Sequence, residues 1–265
     1  MVQVSNTQVQ HKRRKYALQE GGSQSDFVAQ LSARKLAEHL GHYLEGRKRE
    51  EERGLLLYEP RAETLLELAH CGVQFDQVPV EMIEQAPSRL MSILPGDKYT
   101  LILSNLAFDW VDAGQYIQVL DHLLKPEGVF WFSAYGPETA SRTRSFFAQS
   151  DQYPHFNEFY DLHDSGDALL GSGFRDVVLD SSLMKLEYSS VDVLLADAQR
   201  VFGVNMNPGR RKTLTPPGVL NAFKKSVADS IGRDGKFSEQ LELLVAHGRK
   251  AQVPGIRGRI PVREG

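Results

Sequence analysis

Cysteine is almost missing from this sequence. Cys71 stands alone in 265 residues, which excludes an internal disulfide framework and a cysteine-based zinc site. One thiol suits a reducing compartment. Its setting, Leu68-Ala69-His70-Cys71-Gly72 at the end of a predicted helix, reads as a structural thiol rather than a nucleophile. Long apolar runs are also missing. None approaches the ~18 residues of a membrane span, and no apolar segment follows the basic cluster Lys12-Arg13-Arg14-Lys15. No secretory leader and no membrane partner are therefore expected, and the cytoplasm is the default location. Strong charge of one sign is lacking too. The net charge is -3, so nothing draws the whole chain to nucleic acid. The charge-rich stretch Glu45 to Arg53 lacks interleaved aromatics, which again argues against a nucleic-acid partner. There is no Gly-x-Ser-x-Gly for a hydrolase elbow. His39, His42 and His70 lack metal-ligand spacing with carboxylates, so no metal is expected.

What is present is an ordinary globular composition, 41% hydrophobic and 25% charged. The length allows one large α/β domain or two small ones. The organising stretch is Tyr99-Thr-Leu-Ile-Leu-Ser-Asn-Leu-Ala-Phe-Asp-Trp-Val111. An apolar strand runs from Tyr99 to Leu103 and stops at Ser104-Asn105. A helical segment, Gln115 to Leu124, follows. Lys125-Pro126-Glu127-Gly128 then turns the chain into a second apolar strand, Val129 to Ser133. This is the repeating unit of a parallel α/β sheet, which binds ligands at the carboxyl ends of its strands.

Around this unit the periodicity predicts a helix over Asp26 to Leu44, with Phe27, Leu31, Leu36, Leu40 and Leu44 mostly on one face. Gly54 to Tyr58 reads as a buried strand, followed by a helix over Arg61 to Ala69 that Pro60 can start. A strand over Gly72 to Asp76 and a short helix over Pro79 to Ala86 come next, and Arg89 to Leu94 reads as an edge strand. Beyond the centre, helices are predicted over Glu138 to Ala148, Leu162 to Leu170, Ser190 to Val201 and Val219 to Ile231. Strands are predicted over Phe174 to Asp180 and Leu241 to His247. The sum is an α/β fold: a Rossmann-like seven-stranded sheet with helices on both faces and a helical insertion, about 181–238, before the last strand. Residues 1–25 read as a mobile arm, 26–250 as the domain, and 251–265 as a flexible basic tail.

In such a sheet the first strand normally feeds a glycine-rich turn, and an acid ending the second strand takes the ribose hydroxyls of a nucleotide-like cofactor. Here the first strand runs into Glu59-Pro-Arg-Ala-Glu63, which has no glycine. Side chains of Arg61 and Glu63 stand where a cofactor would lie. Asp76 ends the predicted second strand, either as a ribose ligand or as an exposed structural acid. Asn105, with Ser104, is placed to meet a ligand at the end of the middle strand, or caps the turn that follows.

Tyr99 to Ser133 resembles the corresponding half of a class I S-adenosylmethionine-dependent methyltransferase. More narrowly, Leu103-Ser-Asn-Leu-Ala-Phe-Asp-Trp-Val111 and Leu123-Leu-Lys-Pro-Glu-Gly-Val-Phe130 resemble the malonyl-acyl-carrier-protein O-methyltransferases of biotin synthesis and the related complex I assembly factors. Ser25 to Leu40, Phe132-Ser-Ala-Tyr-Gly-Pro-Glu-Thr139 with Arg144, His155-Phe-Asn-Glu-Phe159, and Phe202-Gly-Val-Asn205 with Arg210, Arg211 and Leu214 fit the same pattern in order. The resemblance covers residues 25 to 250 or so.

It implies S-adenosylmethionine as cofactor, with Glu59, Asp76, Ser104 and Asn105 on the cofactor side. It implies Trp110, Tyr135, Arg144, His155, Asn205 and Arg211 on the substrate side, and an acyl carrier protein as partner. Transfer of a methyl group to a malonyl carboxylate needs no general base, only a cation or donors that hold the carboxylate. Arg144 is the first candidate, with Tyr135 and His155 as donors. Trp110 can wall the pocket or fill the core. Asn205, Arg210 and Arg211 can face the substrate, the acidic carrier, or solvent. The missing glycines leave open a catalytically inactive protein that keeps the fold as a binding or assembly module, or a different reaction on the same scaffold.

Overall fold

The structure is a computed structural model that describes residues 26–58, 71–79, 87–94, 96–106, 113–201, 205 and 207–251. The predicted arm 1–25, the helix over 61–69, most of the helix over 79–86, and the tail from 252 onward lie outside the described residues. So do Glu59, Arg61, Glu63 and Trp110.

The elements in chain order are α1 (Asp26–Tyr43), β1 (Arg53–Tyr58), β2 (Gln74–Pro79), α2 (Pro87–Ile93), β3 (Tyr99–Ser104), α3 (Ala113–Leu123), β4 (Leu124–Tyr135), α4 (Ser141–Ser150), α5 (Leu162–Gly171), β5 (Phe174–Tyr188), α6 (Val191–Val201), α7 (Pro217–Asp229) and β6 (Phe237–Lys250). The described strands form one six-stranded sheet in the order β2-β1-β3-β4-β6-β5. β1 pairs in parallel with β2 and β3, and β3 with β4. The expected edge strand over Arg89 to Leu94 is instead the helix α2, and this accounts for six described strands rather than seven. A five- or six-residue apolar run does not separate strand from helix by periodicity, and Pro87 opens the segment where proline suits a first helical turn.

Two further differences have local causes. The strand predicted to end at Asp180 continues to Tyr188: Asp180 and Ser181 are both exposed, and from Ser181 to Glu187 exposure again alternates residue by residue, as a half-exposed strand requires. The Lys125–Gly128 turn is drawn into β4 as a bulge: the register with β3 jumps between Tyr99 and Leu101, and Glu127 adopts φ 66. Gly128 is required there, since a Cβ would stand 2.8 Å from the Lys125 carbonyl oxygen and 3.1 Å from that of Tyr99.

The described chain divides into two compact units. The first comprises 26–134, 160–181 and the chain from 244. Its strands alternate between two apolar layers. Leu56, Leu101, Leu103, Val129 and Trp131 pack with Leu36, Leu40 and Leu44, the last three from α1 and the residue that follows it. Leu55, Leu57, Ile102, Phe130 and Phe132 pack with Tyr116, Ile117 and Leu120 of α3 and Leu169 of α5. Helices thus cover both faces, as the sequence predicted. Of the apolar residues expected on that face of α1, Phe27 is 42% exposed and Leu31 is half-buried. Cys71 is buried, and burial pushes its thiol up, which suits a structural role.

The second unit comprises 135–159 and 182–243. Its core is aromatic: Phe147 of α4 and Phe223 of α7 stack at 3.9 Å and 11°, with Leu194, Val227, Tyr188 and Phe237 around them. α4 begins without a side-chain cap, at Ala140 in the left-handed region. The buried carboxylate of Glu239 takes that place: it accepts from the backbone N–H of Thr143 at 2.7 Å and of Arg142 at 3.3 Å, and from the Thr143 hydroxyl.

Candidate functional site

β3 ends at Ser104, beside Phe132 of β4, so Asn105 and Ser133 follow on adjacent strands. In the first unit they meet Ser32 of α1. Ser32 Oγ lies 2.6 Å from Asn105 Oδ1 and 2.7 Å from Ser133 Oγ. The Ser133 hydroxyl lies 2.9 Å from Asn105 Oδ1 and accepts from the Leu106 N–H at 3.0 Å. Asn105 Nδ2 donates to the Ala29 carbonyl at 3.1 Å, and the Tyr116 hydroxyl donates to Ser104 Oγ at 2.7 Å. Ser32, Ser104, Asn105 and Ser133 are buried, none more than 5% exposed. Their hydrogen bonds tie α1 to the carboxyl end of the sheet. Ser104 and Asn105 therefore stand where the sequence placed them, with their polar atoms bonded to the protein itself.

Asp76 lies elsewhere than expected. It does not end β2, which runs three residues further to Pro79. Its carboxylate accepts from Lys98 Nζ at 2.6 Å and the Tyr99 hydroxyl at 2.8 Å, with Arg53 at 3.3 Å. Arg53 and Tyr99 are the first residues of β1 and β3. The acid is thus engaged near the amino ends of β1, its parallel neighbour, and of β3 beyond it. Those donors, Lys98 foremost, hold it at about 2.

The second unit gathers several of the substrate-side candidates. The segment after α4 carries Asp151 and His155. His155 Nε2 lies 3.0 Å from Asp151 Oδ2. Arg211 grips the same carboxylate with Nη2 on Oδ1 at 2.9 Å and Nε on Oδ2 at 3.3 Å, and its guanidinium lies over the Tyr153 ring at 4.3 Å. The Asp151 side chain is 3% exposed. Arg211, then His155, hold its carboxyl down to about 2. The His155 ring stacks on Phe147 at 4.2 Å and 17°. Asn205 Nδ2 donates to the Pro154 carbonyl at 2.8 Å, and its Oδ1 accepts from the Asn207 N–H at 3.0 Å. Arg211 and Asn205 therefore brace His155 and its loop rather than standing open to a ligand.

Arg144, on α4, is different. One Nη donates to the Pro137 carbonyl. Its Nε is buried with no acceptor. It pairs with no carboxylate among the described residues. A buried charged donor without an acceptor is costly, so this guanidinium has spare capacity for an anion. Tyr135, at the end of β4, packs its ring 5.5 Å from that of Phe159. Arg144 and Phe147 are three apart on one helix and so share a face, which brings Arg144 to the same side as the His155 ring.

The residues that sequence reasoning missed are Ser32, Ser133, Asp151 and Glu239. Only Asp151 carried a local signal, an acid four residues before His155. The others act across 27 to 101 positions of sequence, and nothing local reveals them. Among the described residues no group of three or more His, Cys, Asp or Glu could hold a metal ion, and no helix is long and apolar enough to cross a membrane.

No protein-family model matches the chain. Relatives do. A malonyl-[acyl-carrier protein] O-methyltransferase from Methylovorus sp. is 33% identical over 171 residues, 64% of this chain and 55% of the relative. Malonyl-[acyl-carrier protein] O-methyltransferase 1 of Coxiella burnetii is 41% identical over 148 residues, 56% of this chain and 52% of the relative. The match thus spans about half the length of these relatives. In three dimensions the chain is similar to a structure from Anaeromyxobacter dehalogenans, provisionally described as a type II methyltransferase: TM-score 0.51, 14% identity, 84% of this chain and 97% of that one.

Proposed function

We propose that the chain is a divergent class I S-adenosylmethionine-dependent methyltransferase acting on a malonyl group carried by an acyl carrier protein. Carboxyl O-methylation in the cytoplasm, as biotin synthesis uses it, is the activity this reading assigns. The observation that carries the reading is Arg144. A malonyl thioester ends in a carboxylate, and Arg144 is a half-buried cation with a buried donor that lacks an acceptor. Arginine suits planar two-point recognition of a carboxylate. The relatives at 33% and 41% identity, whose names specify that substrate, support the same assignment. The protein's part in the reaction is to hold one carboxylate oxygen in line and exclude water around it.

The described residues on the cofactor side do not fit S-adenosylmethionine as they stand. The Asp76 carboxylate is held by Lys98, Tyr99 and Arg53, and the amide of Asn105 is satisfied within the protein. Together with the glycine-free Glu59-Pro-Arg-Ala-Glu63, this favours a second reading: a catalytically inactive protein that keeps the fold as a binding or assembly module.

Calorimetry with S-adenosylmethionine and S-adenosylhomocysteine separates the two. The first reading expects saturable binding; absence of heat at millimolar ligand would remove it in favour of the second. With a malonyl-carrier substrate, Arg144→Ala is expected to lower turnover efficiency by about 10- to 100-fold, the equivalent of charge-assisted hydrogen bonds worth roughly 1.5–3 kcal/mol. Arg144→Lys is expected to recover part of it.

A further inference from the structure

His155 is held with more care than its sequence position suggests. Its Nε2 faces Asp151 Oδ2 at 3.0 Å, and that acid is ionised and clamped on both oxygens by Arg211. An ionised carboxylate only accepts, so Nε2 carries a proton; in the tautomer with that single ring proton, the lone pair of Nδ1 is left as an acceptor. Asp151 and His155 are four apart but not on a helix: α4 ends at Ser150, so the contact is not a by-product of helical spacing. The ring plane is fixed by Phe147, itself stacked on Phe223. The main chain beside it is fixed by Asn205 on the Pro154 carbonyl. Nδ1 has no partner among the described residues, and the ring keeps 13% of its side-chain surface open. This is the arrangement of an oriented base with a third group orienting its partner.

A malonyl thioester on a carrier protein offers two kinds of group. Its acyl end has only acceptors, the carboxylate and the thioester carbonyl. Its donors lie on the pantetheine arm, as two amide N–H groups and a hydroxyl. A fixed acceptor cannot serve the carboxylate; it serves the arm. Arg144, a fixed donor on the same face of α4 as Phe147, serves the acyl end.

We propose that His155 is a substrate-contacting residue whose Nδ1 accepts a hydrogen bond from an amide N–H of the pantetheine arm, with Asp151 and Arg211 as positioning residues. The inference rests on the carrier-bound substrate proposed above, and it reverses the expectation that His155 donates to the carboxylate.

The test compares malonyl-pantetheine with the malonyl S-methyl thioester, which lacks the arm, by calorimetry on the full chain. His155→Gln keeps a donor towards Asp151 and removes the Nδ1 acceptor. Its dissociation constant for malonyl-pantetheine is expected to rise on the order of three- to tenfold, with the arm-less thioester unchanged. In the unsubstituted protein, the Nδ1 resonance in a ¹⁵N-histidine spectrum is expected to move on adding malonyl-pantetheine and to stay put with the arm-less ligand; this readout holds even should the variant fail to fold. Equal weakening for both ligands, or an unmoved Nδ1, overturns the assignment and leaves the carrier-bound substrate standing. Failure of the unsubstituted protein to bind either thioester overturns both.

Discussion

Single carboxylates carry much of what is testable here, and their linkage to pH has a defined sign. Asp76 is held at about 2 against an ordinary 3.8, first by Lys98 and then by the Tyr99 hydroxyl. A depressed carboxyl stabilises the fold above its unfolded value, and that contribution disappears as the pH falls through the folded value. The window is therefore from about 3.8 down to about 2. At 38% side-chain exposure, solvent screens the pairing, so the effect is smaller than the full shift would give. Urea midpoints of the native chain and of Asp76→Asn are expected to differ at neutral pH and to converge as the pH falls through that window. A gap that persists at pH 2 would mean that Asp76 acts through packing and not through charge. The same chain of donors separates what the sequence could reveal about Asp76 from what it could not. That an acid stands in the second strand is legible. Which neighbours its side chain meets is set by the pairing of Leu55 with Asp76, and register is not written locally.

At the scale of elements, the strands predicted over 54–58 and 99–103 were legible because Leu55–Leu57 and Leu101–Leu103 are continuous apolar runs buried on both faces. The helix α2 was not, because a short apolar run suits either state. The start of α4 shows a third case. The sequence placed a helix near Glu138 to Ala148, yet it begins at Ser141 with no cap of its own. Glu239 supplies the cap from β6, 96 positions away in sequence. An anion at a helix N-terminus is favoured by the unpaired N–H groups and by the dipole. Removing this one leaves the N–H groups of Arg142 and Thr143 and the Thr143 hydroxyl buried without it. Glu239→Ala is expected to cost about 3 kcal/mol by chemical denaturation. Glu239→Gln keeps one acceptor oxygen and is expected to cost less. Equal losses in both variants would point to the ionic charge itself, and a loss below ~1 kcal/mol would show that water replaces the cap. Because α4 carries Arg144 and Phe147, the cap also sets the helix that presents Arg144 and the ring on which His155 stacks.

At the scale of the whole molecule, the described chain passes between the two units four times. Three of these crossings fall within strands, between Ala134 and Tyr135 in β4, Ser181 and Ser182 in β5, and Leu243 and Leu244 in β6, and the fourth, between Phe159 and Tyr160, lies outside any strand. Domain boundaries usually lie in exposed segments crossed by few contacts; here three of the four cuts would sever a hydrogen-bonded strand. The second unit is also discontinuous, needing residues 135–159 as well as 182–243 to assemble the Phe147–Phe223 core. Excising 182–243 therefore leaves Phe223, Val227 and Phe237 without Phe147, and the fragment is expected to stay unfolded. In the full chain, a strand that continues through both units transmits loss of order from one to the other, so unfolding is expected in a single transition. Nuclear magnetic resonance during a urea titration reads this directly. The indole signal of Trp131 reports the first unit and the ring protons of His155 the second, and both native signals are expected to vanish at the same midpoint. If the His155 signal is lost well before that of Trp131, the second unit opens alone. The carrier-arm contact proposed for His155 would then be formed only when that unit closes, and its affinity would fall by the closed fraction.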